Sequence, residues 1–570
     1  MKKTRIRQCV LGLAAVLVAV AVLSGCREAE RVRDELDAYL TAAHDVWGFR
    51  GAALVALDGR VILARGYGSA DSEFAEENRP DTRFYIGSIT KQFTAAAVML
   101  LVEREQLGLE DSVGELLEEY AGGHLGGVTV HQLLSHTSGI ADYTRIPEVL
   151  LRRTSAMSPT ELLGTIENRS LLFEPGSDFA YSNTNYLILG LIIERVAGQS
   201  YEAFLHQHIF NPLKMKDTGY GRREIGMPDR ALGYTVDSSG RPMVAARVDL
   251  SVLHTAGALY SSVMDMHRWD SALYAEAVLS NESVRRMLTP VLAGYAYGWV
   301  VDSLYGRVRT YHGGFLDGFN ATFERWTADR LCVVVFSNED KAPVRKMARA
   351  LAAIVFDRPY DFPIVRTPAP VDSSLFADYV GAYEMAPDYY RVVDRRGDSL
   401  VTWASEDPPS GLEPLTTDTF FTADDHTVLI AFGRNSRGVV DSIFRIEEQT
   451  LYAGVRLDSV RSEPFLLAED LIEMDSTSLE RYVGTYQLQS LLPRERWPEF
   501  VLSVQRRGER LYARTTGLGE VRVFPLSDTL FVHRTKDFRI EFAFDSTGRA
   551  ATCRLTLGGA SVDGWRVDSR

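Results

Sequence analysis

The stretch DRPYDFPIVRTPAPVDSS holds Pro359, Pro363, Pro368 and Pro370. Proline fixes φ and donates no backbone hydrogen bond, so neither a helix nor a central strand runs through it. It divides the 570-residue chain into two parts, each of which has to bury a core of its own. The part beyond the break repeats itself. YVGAYE at Tyr379 recurs as YVGTYQ at Tyr482, and DRRGDSL recurs as QRRGERL, with Arg395 matching Arg506. EPLTTDTFF recurs as FPLSDTLF, with Pro414 matching Pro525, and Ile430 aligns on Ile540. The offset grows across LLPRERWPEF, which marks an insertion in the second copy. Short alternating runs between turn residues predict β-structure. Two copies of about 100 residues predict two small barrels or sandwiches, not a solenoid.

The part before the break mixes helix and strand signals. Val32, Leu36, Leu40 and Ala43 share one face of a helix over about 30–45. GAALVALDGRVILARGYG reads as a hairpin around Asp58-Gly59. Helical sequence follows through LIIERVAGQSYEAFLHQHIF, strand signals return at LCVVVFSNE, and a helix closes the part at VRKMARALAAIVF. The simplest architecture is multidomain: an α/β (α+β) unit, with an antiparallel sheet flanked by helices and a helical insertion, followed by two antiparallel all-β domains.

The first residues form a targeting segment. MKKTRIRQ is basic, CVLGLAAVLVAVAV is apolar but short for a membrane span, and LSGC follows at Leu23–Cys26. A small pair before cysteine resembles the bacterial lipobox, which implies a lipid-modified Cys26 as the first mature residue. The other reading is a plain secretory signal that happens to contain cysteine. A cysteine carrying several acyl chains anchors firmly to a membrane. Arg27 in place of aspartate then implies an outer membrane facing the periplasm in a Gram-negative cell, and otherwise the outer face of the cytoplasmic membrane. The expected organisation is a leader over 1–25, a first domain over 26–358, a linker over 359–372, and β-domains over 373–468 and 469–570. Cys332 and Cys553 remain, far apart in strand-like runs, and read as buried reduced thiols. Their spacing offers neither a disulfide framework nor a zinc site. The net charge of −14 disfavours a nucleic-acid partner. No P-loop, dinucleotide fingerprint or His-Glu-x-x-His pair is present, so neither cofactor nor metal is expected. Oligomeric state is not legible.

Three short motifs carry chemistry. In FYIGSITKQF, Ser88 and Lys91 stand three apart, on one face of a helix that starts near the serine. A serine hydroxyl is a weak nucleophile and needs a neighbouring base. An N-terminal N–H and the helix dipole favour developing negative charge there. S-x-x-K alone is common and reads as a surface pair. In FEPGSDFAYSNTNYLILGLIIERVAG, Tyr181 can relay a proton and Asn183 can meet a substrate carbonyl, while Ser182 or Asn183 could instead cap the helix. In YHGGFLDGFNATFERW, Gly313 and Gly314 after His312 let a substrate approach an edge strand, the alternative being a tight bend with the histidine outside.

Taken in order, S-x-x-K, Y-x-N and H-x-G resemble the serine penicillin-recognising hydrolases: class C β-lactamases, DD-peptidases, D-aminopeptidases and related esterases. VTVHQLLSHTSGIADY and AGALYSSVMDMHRW resemble further blocks of that group, and the resemblance spans about 32–358. It implies Ser88 as the acylated nucleophile, Lys91 and Tyr181 as the proton-handling pair, and Asn183 on the substrate amide. It also implies an oxyanion hole from the amides of Ser88 and Phe315, with Gly314 as the last motif glycine. His131 and His136 read as structural. His312 stands where a lysine is usual, and histidine is only partly charged near neutrality. That argues against selection for a free substrate carboxylate there, hence for a peptidase or esterase over a β-lactamase proper. Two β-domains after the catalytic one resemble the D-aminopeptidase layout, and the insertion, with Arg494, Arg496 and Trp497, is either a cleft-entering loop or a plain surface loop. The expected substrate is a small peptide-like amide or ester. The alternative of another class is a non-catalytic ligand-binding or sensory envelope lipoprotein, since small barrels can hold ligands.

Overall fold

A computed structural model describes residues 29–567 apart from 73–75, 168, 222–228, 237–240, 387–388, 405–408, 448–449, 458–473, 489–500, 508–509, 516–520, 526, 533–537 and 558–559. Cys26 and the leader, and Arg494, Arg496 and Trp497, lie outside the described residues. The chain divides into two compact units, Met1–Pro363 and Ile364–Arg570.

The first unit is built on a six-stranded antiparallel sheet. Its strands are β1 (Gly51–Leu57), β2 (Arg60–Tyr67), β3 (Val300–Leu304), β4 (Arg307–Leu316), β5 (Phe319–Trp326) and β6 (Leu331–Ser337), in the spatial order β3-β4-β5-β6-β1-β2. The nearly continuous apolar runs GAALVAL and LCVVVFS are explained by burial on both faces. Ala52, Leu54, Ala56, Cys332, Val334 and Phe336 point into one core. Ala53, Val55, Leu331, Val333 and Val335 point into the other. That alternation is the two-residue period of a strand.

The smaller core is closed by helix α1 (29–47), through Leu36, Tyr39, Leu40 and Ala43, and by the C-terminal helix Val344–Val355. The larger core holds α2 (Thr90–Glu103), α3 (Val130–Leu134), α4 (Asn183–Ala197), the short α5 (His254–Gly257) and α6 (Val263–Ala275). Helix α2 is buried nearly all round, as its sequence TKQFTAAAVMLLVE requires. It therefore brings Lys91 into the interior.

The second unit holds two closed antiparallel barrels, with strands running from Gly381–Ala386 to Thr450–Arg456 and from Gly484–Leu488 to Ala560–Arg566. The sequence repeat maps onto matching contacts. Tyr383 donates to the carbonyl of Tyr379 at 2.7 Å, and Tyr486 to that of Tyr482 at 2.8 Å. Pro414 pairs with Phe420 and Phe420 with Ile430, just as Pro525 pairs with Phe531 and Phe531 with Ile540. Each barrel closes where its first strand meets its last, Tyr383 opposite Arg456 and Tyr486 opposite Arg566. The glycine of each YVG supplies the room: a Cβ on Gly381 would lie 3.0 Å from Arg456 Nε, and one on Gly484 2.9 Å from Arg566 Nε. Aromatic and aliphatic side chains pack together inside each barrel.

Candidate active site

Ser88 sits in a 3-10 turn, Gly87–Ile89, that runs directly into α2. The serine is half-buried and Lys91, one turn on, is fully buried. Lys91 Nζ lies 3.1 Å from Ser88 Oγ, 2.8 Å from Asn183 Oδ1 and 2.8 Å from the carbonyl oxygen of Ala256 in α5. The last two partners can only accept. In its neutral form the amine therefore keeps two N–H bonds on Asn183 and Ala256 and turns its lone pair toward the Ser88 hydroxyl. Burial pushes Lys91 down to about 7, against the opposing pull of the Asp142 carboxylate.

Tyr181 comes from the loop entering α4, with its ring 4.9 Å from Lys91 Nζ. Burial holds its phenol far above the usual range, while a hydrogen bond with Ser88 pulls the other way. Asn183 is the first residue of α4. Its Nδ2 donates to Asp142 at 3.0 and 3.3 Å and to Thr144 Oγ1 at 3.2 Å, which fixes the amide with its oxygen toward Lys91. Neither Ser182 nor Asn183 caps α4 through its side chain; the Ser182 hydroxyl donates to Ala141 instead.

The third motif lies within β4, and not in a bend. Here β3 pairs only with Arg307–Tyr311, so His312–Leu316 has no strand neighbour on that edge among the described residues. This open stretch faces the nucleophile turn at very short range. A Cβ on Gly314 would stand 1.8 Å from the carbonyl oxygen of Ile86 and 3.3 Å from Ser88 N, and one on Gly87 2.7 Å from Phe315 N. Glycine at both positions lets the turn and the strand meet backbone against backbone at Ser88 and Phe315, and the Phe315 side chain is 58% exposed.

His312 is buried and differs from the sequence expectation of partial charge. Its Nδ1 is 2.6 Å from the carbonyl of Gly313, an acceptor, so Nδ1 carries the proton. Nε2 then accepts from the Tyr295 hydroxyl at 3.0 Å. Burial first, and the Lys91 charge second, push the ring down to about 3, so it is neutral at physiological pH.

Three positioning groups escaped the sequence reading. Asp142 and Ala256 lie inside the two supporting blocks, and Tyr295 is signalled by the aromatic run Tyr295-Ala296-Tyr297-Gly298-Trp299. His136, read as structural, holds the Ser182 N–H on Nδ1 at 3.2 Å and packs its ring 4.3 Å from that of Tyr181. His131 meets the Tyr297 hydroxyl at 2.5 Å. Among the described residues His267, Asp270 and Cys332 bring ligand-type atoms within 4.8 Å of one another. Arg325 already supplies a cation there, with Nε 2.5 Å from Asp270, and burial keeps the Cys332 thiol protonated.

A serine backed by a buried lysine, on a helix docked to an antiparallel sheet that is covered on both faces, defines a serine hydrolase-type enzyme of the β-lactamase fold. The family model described as Beta-lactamase matches residues 36–356, and the chain belongs to that family. It is 31% identical over 293 residues to "Putative penicillin-binding protein PbpX" of Bacillus subtilis (strain 168), across 51% of this chain and 71% of that protein. In structure it is similar to the octameric penicillin-binding protein homologue from Pyrococcus abyssi, with a TM-score of 0.55 and 24% identity over 74% of this chain and 99% of that one. It is also similar to D-amino acid amidase from Ochrobactrum anthropi SV3 in complex with D-phenylalanine, with a TM-score of 0.51 and 21% identity over 58% of this chain and 99% of that one. The two structural likenesses concern the fold alone.

Proposed function

We propose that the chain hydrolyses an amide or ester bond of a small peptide-like substrate through an acyl-enzyme on Ser88. The observation that carries this reading is the environment of Lys91, a fully buried amine brought down to about 7 with its free direction on Ser88 Oγ. Ser88 Oγ attacks the substrate carbonyl carbon and its proton passes to Lys91 Nζ. The carbonyl oxygen becomes an oxyanion between the amides of Ser88 and Phe315. Tyr181, held as a phenol, gives its proton to the departing nitrogen or oxygen and regains one from Lys91. Water then attacks the acyl carbon with the proton path reversed, releasing a carboxylic acid and free Ser88. Neutral His312 lacks the permanent cation that a lysine would offer a carboxylate at that end of the crevice, which favours peptidase or esterase action over β-lactam hydrolysis. Packed barrel interiors weigh against a ligand-carrying sensor.

The test is labelling with a neutral aryl phosphonate, peptide mapping, and a panel of nitrophenyl esters, D- and L-aminoacyl anilides and a chromogenic cephalosporin. The label is expected on Ser88, with turnover abolished in Ser88→Ala. Undiminished turnover by Ser88→Ala would refute the mechanism.

A further inference from the structure

Beyond Phe315 the open edge of β4 runs into a cavity of about 600 Å³, within the range that holds a small ligand. Tyr85, three residues before the nucleophile, Leu316 and Phe319 form part of its wall. Two guanidinium groups, Arg230 and Arg247, and two carboxylates, Asp249 and Asp317, also line it. The charges are not balanced in the same way. Asp317 is taken by Arg153, whose Nη2 is 2.7 Å away. Asp249 keeps its charge, with one oxygen held by the N–H and hydroxyl of Ser251 at 3.1 and 2.7 Å, so the two guanidinium groups of the lining outnumber the one carboxylate without a cation partner among the described residues. Arg230, by contrast, donates from Nη1 to the neutral Tyr85 hydroxyl at 2.9 Å, with its guanidinium carbon 5.5 Å from that ring's centroid. Arg247 is exposed and close enough to act on the same phenol. Neither arginine has a carboxylate partner among the described residues.

A planar donor fork without an anion, beside a tyrosine and an apolar wall, fits a carboxylate on a short apolar arm. We infer that this cavity is a substrate subsite for an anionic end, so that the substrate lies along His312–Leu316 and carries a carboxylate on the arm directed away from His312. The inference rests on the hydrolase reading above and names its substrate class: acyl compounds with a free carboxylate several bonds from the scissile carbonyl. The cavity's two arginines thus stand at the Leu316 end of the strand, and the neutral imidazole of His312 at the other end.

The test compares mono-p-nitrophenyl suberate with its methyl ester at low salt. The native protein is expected to favour the carboxylate in kcat/KM by about tenfold, the scale of one charge-assisted hydrogen-bond pair. The preference should shrink with added salt. Arg247→Gln, an exposed substitution that leaves packing intact, and Arg230→Gln should each lower that ratio several-fold. A ratio near one in the native protein, or one unmoved by both variants, would overturn the subsite. Binding of suberic acid monoanilide and its methyl ester to Ser88→Ala, measured by calorimetry, gives a readout without turnover. If Ser88 neither labels nor turns over any ester yet the acid binds at least about tenfold tighter than its methyl ester, the subsite stands and the hydrolase reading falls. If neutral esters are cleaved and the acid shows no arginine-dependent advantage, the reverse holds.

Discussion

Lys91 shows how a single residue's chemistry is set by opposing forces. Burial on every side disfavours its ammonium form, while Asp142, reached through the Asn183 amide, favours it. The balance leaves the amine near the middle of the physiological range, where it can take a proton from Ser88 and return it. Acylation is therefore expected to rise with pH through about 7, as the neutral amine forms. Asp142→Asn removes the charge that holds the ammonium and sets a donor against Asn183 Nδ2. Its acid limb is expected to move to lower pH, and kcat/KM at neutrality to fall about tenfold through the misplaced Asn183. A pH–rate profile on a nitrophenyl ester checks both. An acid limb unmoved, or moved to higher pH, would show that Asp142 does not act on Lys91. The spacing of Ser88 and Lys91 on one helical face was legible in the sequence because it is local, whereas the approach of Asn183 to Lys91, across more than ninety residues, was implied only by the resemblance. The charge state of His312 was not legible, because it depends on Tyr295, Lys91 and burial contributed from elsewhere in the chain.

At the scale of elements, the site is the contact of one turn with one strand. The period of apolar residues gave the hairpin at Asp58-Gly59 and the buried strands of the sheet. It could not give the 3-10 turn ahead of α2, a three-residue feature without a period of its own. Nor could it give the open half of β4, since strand order and the reach of β3 are long-range properties. Gly314 joins the two elements, because a methyl group there would overlap the backbone oxygen of Ile86, which no side-chain rotation relieves. Gly314→Ala is expected to push the Ser88 turn off the strand and part the two amides. The loss of kcat/KM should be at least about a hundredfold, as for removal of one oxyanion donor, with little change in far-ultraviolet circular dichroism. Retained activity would show that the crevice does not depend on this contact.

At the scale of the whole molecule, two compact units meet the burial requirement by different means. The first covers a sheet on both faces; the second closes two sheets on themselves by pairing each first strand with its last. The barrels were legible because the repeat preserves the residues that do the closing: the tyrosine four residues after its partner, and the glycine beneath the last strand's arginine. The link to a membrane belongs to this scale and rests on the sequence alone. A basic head, an apolar run and Leu23-Ser24-Gly25-Cys26 propose lipid attachment at Cys26. One acyl chain gives marginal, reversible binding, whereas the several chains of a modified N-terminal cysteine hold a protein of this size at the surface. Expressed with its own leader in a bacterial host, the protein is expected to take up labelled palmitate and to enter the detergent phase on cloud-point partition. Cys26→Ser should lose both while the purified protein keeps its nitrophenyl ester kcat/KM, because the acyl chains take no part in the chemistry at Ser88. An aqueous, unlabelled native protein would leave a plain secretory leader as the reading of those first residues.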